Sequence, residues 1–145
     1  MMLDHRWIAT HIPHQGRMCL LESVEQWDAD HILCGATSHQ APDHPLRTAQ
    51  GLNITAGVEY AAQAMAVHGA LTTAEAAAAR QGYLTSVRDV QWRQPWLHTA
   101  PGPLQVHAER LSANGLTVLY GFRIDVHGHN LLSGRATVVL DAERL

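Results

Sequence analysis

Two side chains in residues 53–69, NITAGVEYAAQAMAVHG, set acid–base chemistry in an apolar frame. Glu59 and Gln63 stand one helical turn apart on one face, close enough to hydrogen-bond. Around them Ile54, Val58, Ala61, Ala62, Met65 and Ala66 recur at the three- and four-residue steps of an apolar helical stripe. Ala56, Gly57, Ala64 and Gly69 leave little bulk on the remaining faces. A helix that is small and apolar almost all round is a core helix, and a buried Glu there is rare unless it is paired or functional. A carboxyl kept protonated by apolar surroundings can act as a general acid. The plainer alternative is a Glu beside a Gln on an exposed stripe.

The other chemistry-bearing residues invite plainer readings. Eleven His in 145 residues raise the question of a metal, and His127-Gly128-His129 is the tightest pair. It falls in an expected hairpin turn with no Asp, Glu or Cys at ligand spacing, so a solvated turn is expected there and no metal or other cofactor. His68, near the end of the core helix, suits the negative end of the helix dipole and a capping role. Trp92 and Trp96 read as core or interface filling. Cys19 and Cys34 are too few and too far apart for a metal knuckle, and read as reduced thiols of a cytoplasmic protein.

Composition excludes several partners. A net charge of -3, with ten basic residues that are all Arg and scattered, argues against nucleic acid or an anionic membrane surface. No apolar run long enough for a leader or a membrane span is visible, and Asp4, His5 and Arg6 interrupt the N-terminus. The length of 145 residues suits one domain, 1–145.

The elements that must position Glu59 follow from local patterns. Trp7 and Ile8 anchor a short first segment, and His11 to Gly16 reads as a loop broken by Pro13 and Gly16. Met18 to Trp27 and His31 to Thr37 read as two strands joined by a turn at Asp28-Ala29-Asp30. Ser38 to Leu52 is an aperiodic polar loop, long enough to call for a functional use, and Asn53 or Thr55 is the expected N-cap of the helix. A second helix is expected over Thr72 to Arg80. Strands are expected at Tyr83 to Trp96, Leu104 to Leu111, Leu116 to Val126 and Leu132 to Leu140, with Asn114-Gly115 as a hairpin signal. One long apolar helix and about six antiparallel strands require the sheet to wrap the helix, which is the hotdog arrangement of an α+β protein.

The chain resembles the hotdog-fold 3-hydroxyacyl-ACP dehydratases, and in particular the dehydratase-like subunits of aryl polyene pigment biosynthesis. The resemblance rests on Ile12-Pro13-His14, Met18-Cys19-Leu20-Leu21, His44-Pro45-Leu46-Arg47, the helix segment Glu59 to Ala66, Gly82-Tyr83-Leu84, Arg88-Asp89-Val90 and Gly134 to Val138. It implies dehydration of 3-hydroxyacyl thioesters carried on acyl carrier protein or coenzyme A. It also implies two subunits joined edge to edge, as a homodimer, a higher homo-oligomer or a heterodimer with another hotdog chain. A loop His from one subunit would work with the helix acid of the other, which makes His44 and Glu59 the catalytic pair, with His39 the poorer alternative to His44. His14 is expected to be a structural hydrogen-bonding residue. Gln63, and backbone N–H groups near Ile54 and Thr55 at the helix start, are the expected substrate contacts, the latter stabilising the thioester oxyanion. Two alternatives stay open: a hotdog thioesterase using Glu59 on water or on the thioester, and a non-catalytic partner subunit.

Overall fold

The computed structural model describes residues 2–72 and 82–140. Seven strands form one antiparallel sheet in the order β1-β2-β3-β5-β6-β7-β4. They are β1 (Leu3–Asp4), β2 (Ser23–Trp27), β3 (His31–Ala36), β4 (Gly82–Trp92), β5 (Leu104–Asn114), β6 (Thr117–Val126) and β7 (His129–Leu140). The helices are α1 (His5–His11) and α2 (Ala56–Thr72). The sheet wraps α2, so the hotdog architecture expected from the patterning is the one observed.

Small residues let α2 lie directly on the sheet. A Cβ at Gly57 would collide with Leu132 and Ile124, so only glycine permits this approach. Tyr60, Ala61, Ala64 and Val67 are fully buried, and Met65 nearly so. In β6 the alternation Tyr120, Phe122, Ile124, Val126 turns inward against the helix, as period-2 patterning dictates. His68 joins that core by receiving a hydrogen bond from the Tyr120 hydroxyl at Nδ1 (2.8 Å) while Nε2 donates to the Asp28 carbonyl (2.9 Å). It ties the β2–β3 turn to the helix instead of capping the helix end.

Several boundaries differ from the sequence expectation. The first segment forms a two-residue strand and a helix, α1, because Asp4 accepts the Trp7 N–H (2.9 Å) as an N-cap. The expected strand at Met18 begins only at Ser23, since residues 16–18 form a 3-10 turn. β4 ends at Trp92, short of Trp96, where Pro95 has no N–H to continue the ladder. Thr72 is the last described residue of α2, and its hydroxyl donates to the His68 carbonyl (2.8 Å). The rest of the second helix expected there lies outside the described residues.

Candidate active site

Glu59 sits in the first turn of α2, and its partner comes from the loop before the 3-10 turn. His14 Nε2 lies 2.9 Å from Glu59 Oε1, with side chains 25% and 32% exposed. Gln63 donates to the same oxygen at 3.3 Å. Oε1 is thereby held by two donors, while Oε2 has no protein partner among the described residues and is not enclosed. The His14 hydrogen bond, opposed by burial and helped by Gln63, keeps the carboxyl below the usual carboxylate range. Near neutral pH it is therefore ionised, an acceptor with no proton to give, and not the protonated acid that an apolar setting predicts.

Gln63 explains why the His14 loop lies here. Fully buried, it accepts the Leu20 N–H at Oε1 (2.8 Å) and donates from Nε2 to the Met18 carbonyl (2.6 Å) as well as to Glu59. One amide thus clamps the segment that follows His14 to the helix that carries Glu59. Both polar atoms of Gln63 have partners within the chain in this arrangement.

His44, expected to meet the Glu59 of a second subunit, makes these contacts within its own chain. It meets Tyr60, the residue after Glu59, and no hydrogen bond or ion pair joins it to Glu59. Its Nδ1 accepts the Leu46 N–H (3.0 Å), which leaves Nε2 to donate to the Tyr60 hydroxyl (3.0 Å). Tyr60 passes its proton to Ser38 Oγ (2.7 Å), and Ser38 donates to the Leu20 carbonyl (2.8 Å). This chain fixes the tautomer and spends both imidazole nitrogens. Burial, with a smaller push from Arg47, lowers the His44 pKa, and burial drives the Tyr60 hydroxyl up to about 12. His39 is also buried, donating from Nε2 to the Ala100 carbonyl (3.3 Å). Both loop histidines fasten the loop after β3 to the body of the fold.

The helix start is likewise engaged. Ile54 N–H donates to the Pro95 carbonyl (3.0 Å) and Thr55 N–H to Asn53 Oδ1 (2.9 Å). Neither is free for an oxyanion, because Asn53 caps the turn and a bridge to Trp96 holds the strand before it. Within the chain the structure brings together Glu59 and Gln63 from the expected set with His14, while His44, His39 and the Ile54 and Thr55 N–H groups bond to other partners. His14 was legible as chemistry only through its position between Pro13 and Gly16, a loop able to aim an imidazole. Among the described residues no group of three or more His, Cys, Asp or Glu is placed to hold a metal. A cavity of about 240 Å³ lies beside His44, lined by Cys19, Ser38, Ala41 and Pro45 among others.

Comparison with solved structures places the fold. A chain of the dehydratase heterocomplex ApeI:P from Xenorhabdus doucetiae superposes with a TM-score of 0.78 at 21% identity, covering 94% of this chain and 92% of that one. A thioesterase from Haemophilus influenzae gives 0.62 at 13% identity over 83% and 78% of the two chains. A mutant thioesterase from Pseudomonas aeruginosa gives 0.59 at 14% over 83% and 80%. No curated protein matches the sequence. No helix among the described residues is long and apolar enough to cross a membrane. The model of the ApeP-like family, described as ApeP dehydratase, matches residues 6–144, and the chain belongs to that family.

Proposed function

We propose that the chain dehydrates 3-hydroxyacyl thioesters, presented on an acyl carrier protein or coenzyme A, with Glu59 as the proton-transferring group. The observation that carries this reading is the asymmetry of the Glu59 carboxylate: Oε1 is pinned by His14 and Gln63 while Oε2 is left reachable. In the reaction Oε2 takes the proton from the carbon next to the thioester carbonyl. The electron pair forms the double bond as the C3–O bond breaks, and the same proton passes from Oε2 to the departing hydroxyl to give water, while His14 and Gln63 hold Oε1 in place. Glu59 returns to its starting state, so the cycle needs no further reactant.

The exposed edge favours assembly with another hotdog subunit. β4 ends the sheet, and Tyr83, Leu84 and Trp92 on it are 48%, 40% and 58% exposed. An open apolar edge strand calls for a partner. The similar chain from Xenorhabdus doucetiae comes from a dehydratase heterocomplex, which supports a partner subunit for this chain. Thioester hydrolysis is the second reading, supported by the fold shared with two thioesterases and by a carboxylate able to activate water.

The test is incubation with a 3-hydroxyacyl thioester, for the chain alone and with a candidate partner subunit. Growth of enoyl-thioester absorbance, abolished by Glu59→Gln, is the expected result. Release of free thiol without enoyl product would replace dehydration by hydrolysis. Full activity of a complex carrying Glu59→Gln would leave the chain a non-catalytic subunit.

A further inference from the structure

The outer face of the sheet, turned away from α2, carries charge sorted by sign. The register sets one row across five strands: His31 opposite Glu109, Glu109 opposite Gly121, Gly121 opposite Arg135, and Arg135 opposite Arg88. Two arginines therefore face each other directly at the β7–β4 side, an arrangement that destabilises a strand pair. Both are exposed, and neither has a hydrogen-bond or ion-pair partner among the described residues. At the β2–β3 side the sign reverses. Glu109 and Asp28 flank His31, whose ring nitrogens lie 2.9 Å and 3.2 Å from them, and the Glu25 carboxylate lies over Gly35. Burial holds His107, which also faces Glu25, below the ordinary imidazole pKa, and Arg123 is taken up by Asp125 at 3.0 Å, so His31 is the main counter-charge to three carboxylates and this end stays acidic.

Between the two halves lies an open hollow of about 720 Å³, with the bare backbone of Gly121 among its lining residues. Trp27 and Leu111 line it while 45% and 44% exposed. Leu111 lies over Gly121 between the charged halves and Trp27 flanks the acidic half on β2, which gives the patch apolar surface beside its opposed charges. A twofold axis parallel to the strands, lying between two such faces, sets the β3 side of one copy over the β7 side of the other. An isologous contact uses one patch twice, so each acidic half meets a basic half. Aligned sheets packed in this way lie about 10 Å apart with their strands within about 30°. We propose that the outer face pairs with the same face of a second copy of this chain, Glu109 and Asp28 at the His31 end of one copy lying against Arg135 and Arg88 of the other. This contact is separate from the β4 edge and independent of the chemistry at Glu59.

Sedimentation of the full chain at about 0.05 M and about 1 M salt, where the screening length shrinks to about 3 Å, tests the contact. The expected result is a mass at low salt twice that at high salt. Arg135→Glu and Glu109→Arg should each halve the low-salt mass, and an equimolar mixture of the two variants should restore it, because one then presents the acidic half and the other the basic half. Circular dichroism and melting confirm that each variant is folded. A wild-type mass equal at both salts overturns the proposal without recourse to any variant. Folded variants that keep the wild-type mass, or a mixture that fails to recover it, also overturn it. Capture of an acidic protein by the Arg135 side, with no self-association of the wild type, would do the same by naming a different occupant.

Discussion

Two imidazoles approach neighbouring residues of α2, and their fates differ. His44 is 5% exposed and uses both ring nitrogens, one on Leu46 N–H and one on the Tyr60 hydroxyl. His14 is partly exposed, gives Nε2 to the Glu59 carboxylate, and leaves Nδ1 without a partner. An imidazole with every lone pair and proton committed is a rivet. One that touches an ionised carboxylate, itself with an oxygen open, can take part in moving a proton. The comparison teaches that what remains unsatisfied once the fold has closed is a guide to which of two imidazoles in one chain can do chemistry.

The largest expected effect lies at the acid. Glu59→Gln should lower enoyl formation by about 10²- to 10⁴-fold, the usual worth of a positioned acid–base group, while melting stays close to wild type. Steady-state absorbance and a thermal scan check both halves. Gln63→Leu sharpens the comparison by loosening the His14 side alone. It strands the Leu20 N–H and the Met18 carbonyl, at about 1–3 kcal/mol for each buried group left unmade, and should lower both stability and kcat. Denaturant titration beside kinetics reads this, and a variant as stable as wild type would show that the clamp is not structural.

Tyr60→Phe tests the other imidazole. It removes the hydroxyl between His44 and Ser38 and should cost about 1–3 kcal/mol of stability, yet leave enoyl formation near wild type below the melting range. A loss of activity larger than the loss of folded protein would move the chemistry toward His44.

The smallest effect is pH dependence. Burial lowers the pKa of His39, His44, His68 and His107 in the fold. The unfolded chain therefore binds protons first as pH drops below about 6.5, and stability falls with it. Glu59, shifted down, adds stability above the ordinary carboxylate range that is lost as pH falls through its folded pKa. Melting temperature should decline from pH 7 toward pH 5, and Tyr60→Phe should change that slope through His44. A flat profile would mean that the buried imidazoles do not titrate with folding.

The sequence made the central helix and the alternation of β6 legible because burial on nearly all sides and period-2 patterning are local properties. It also made Glu59 and Gln63 legible as a pair, since four-residue spacing fixes their shared face. The edge strand β1 and helix α1 escaped, because two paired residues and one N-cap carry little periodicity. His14 escaped for a different reason. Its meeting with Glu59 spans 45 positions and depends on Gln63 gripping backbone atoms at Met18 and Leu20, which no side-chain pattern encodes. The Ile54 N–H is taken by the same kind of long-range detail, the carbonyl of Pro95, whereas the Thr55 N–H is taken locally by Asn53 Oδ1.

The most direct test sets His14→Ala against His44→Asn in the dehydration assay, with pH–rate profiles and a folding check for each. The account predicts that His14→Ala loses about 10²-fold or more and moves the acid limb of the profile to higher pH, because the hydrogen bond that holds the Glu59 carboxyl down is gone. It predicts that His44→Asn loses stability but keeps its rate and its acid limb. A His14→Ala enzyme with wild-type rate and profile, beside a folded His44→Asn enzyme that is inactive, would contradict it.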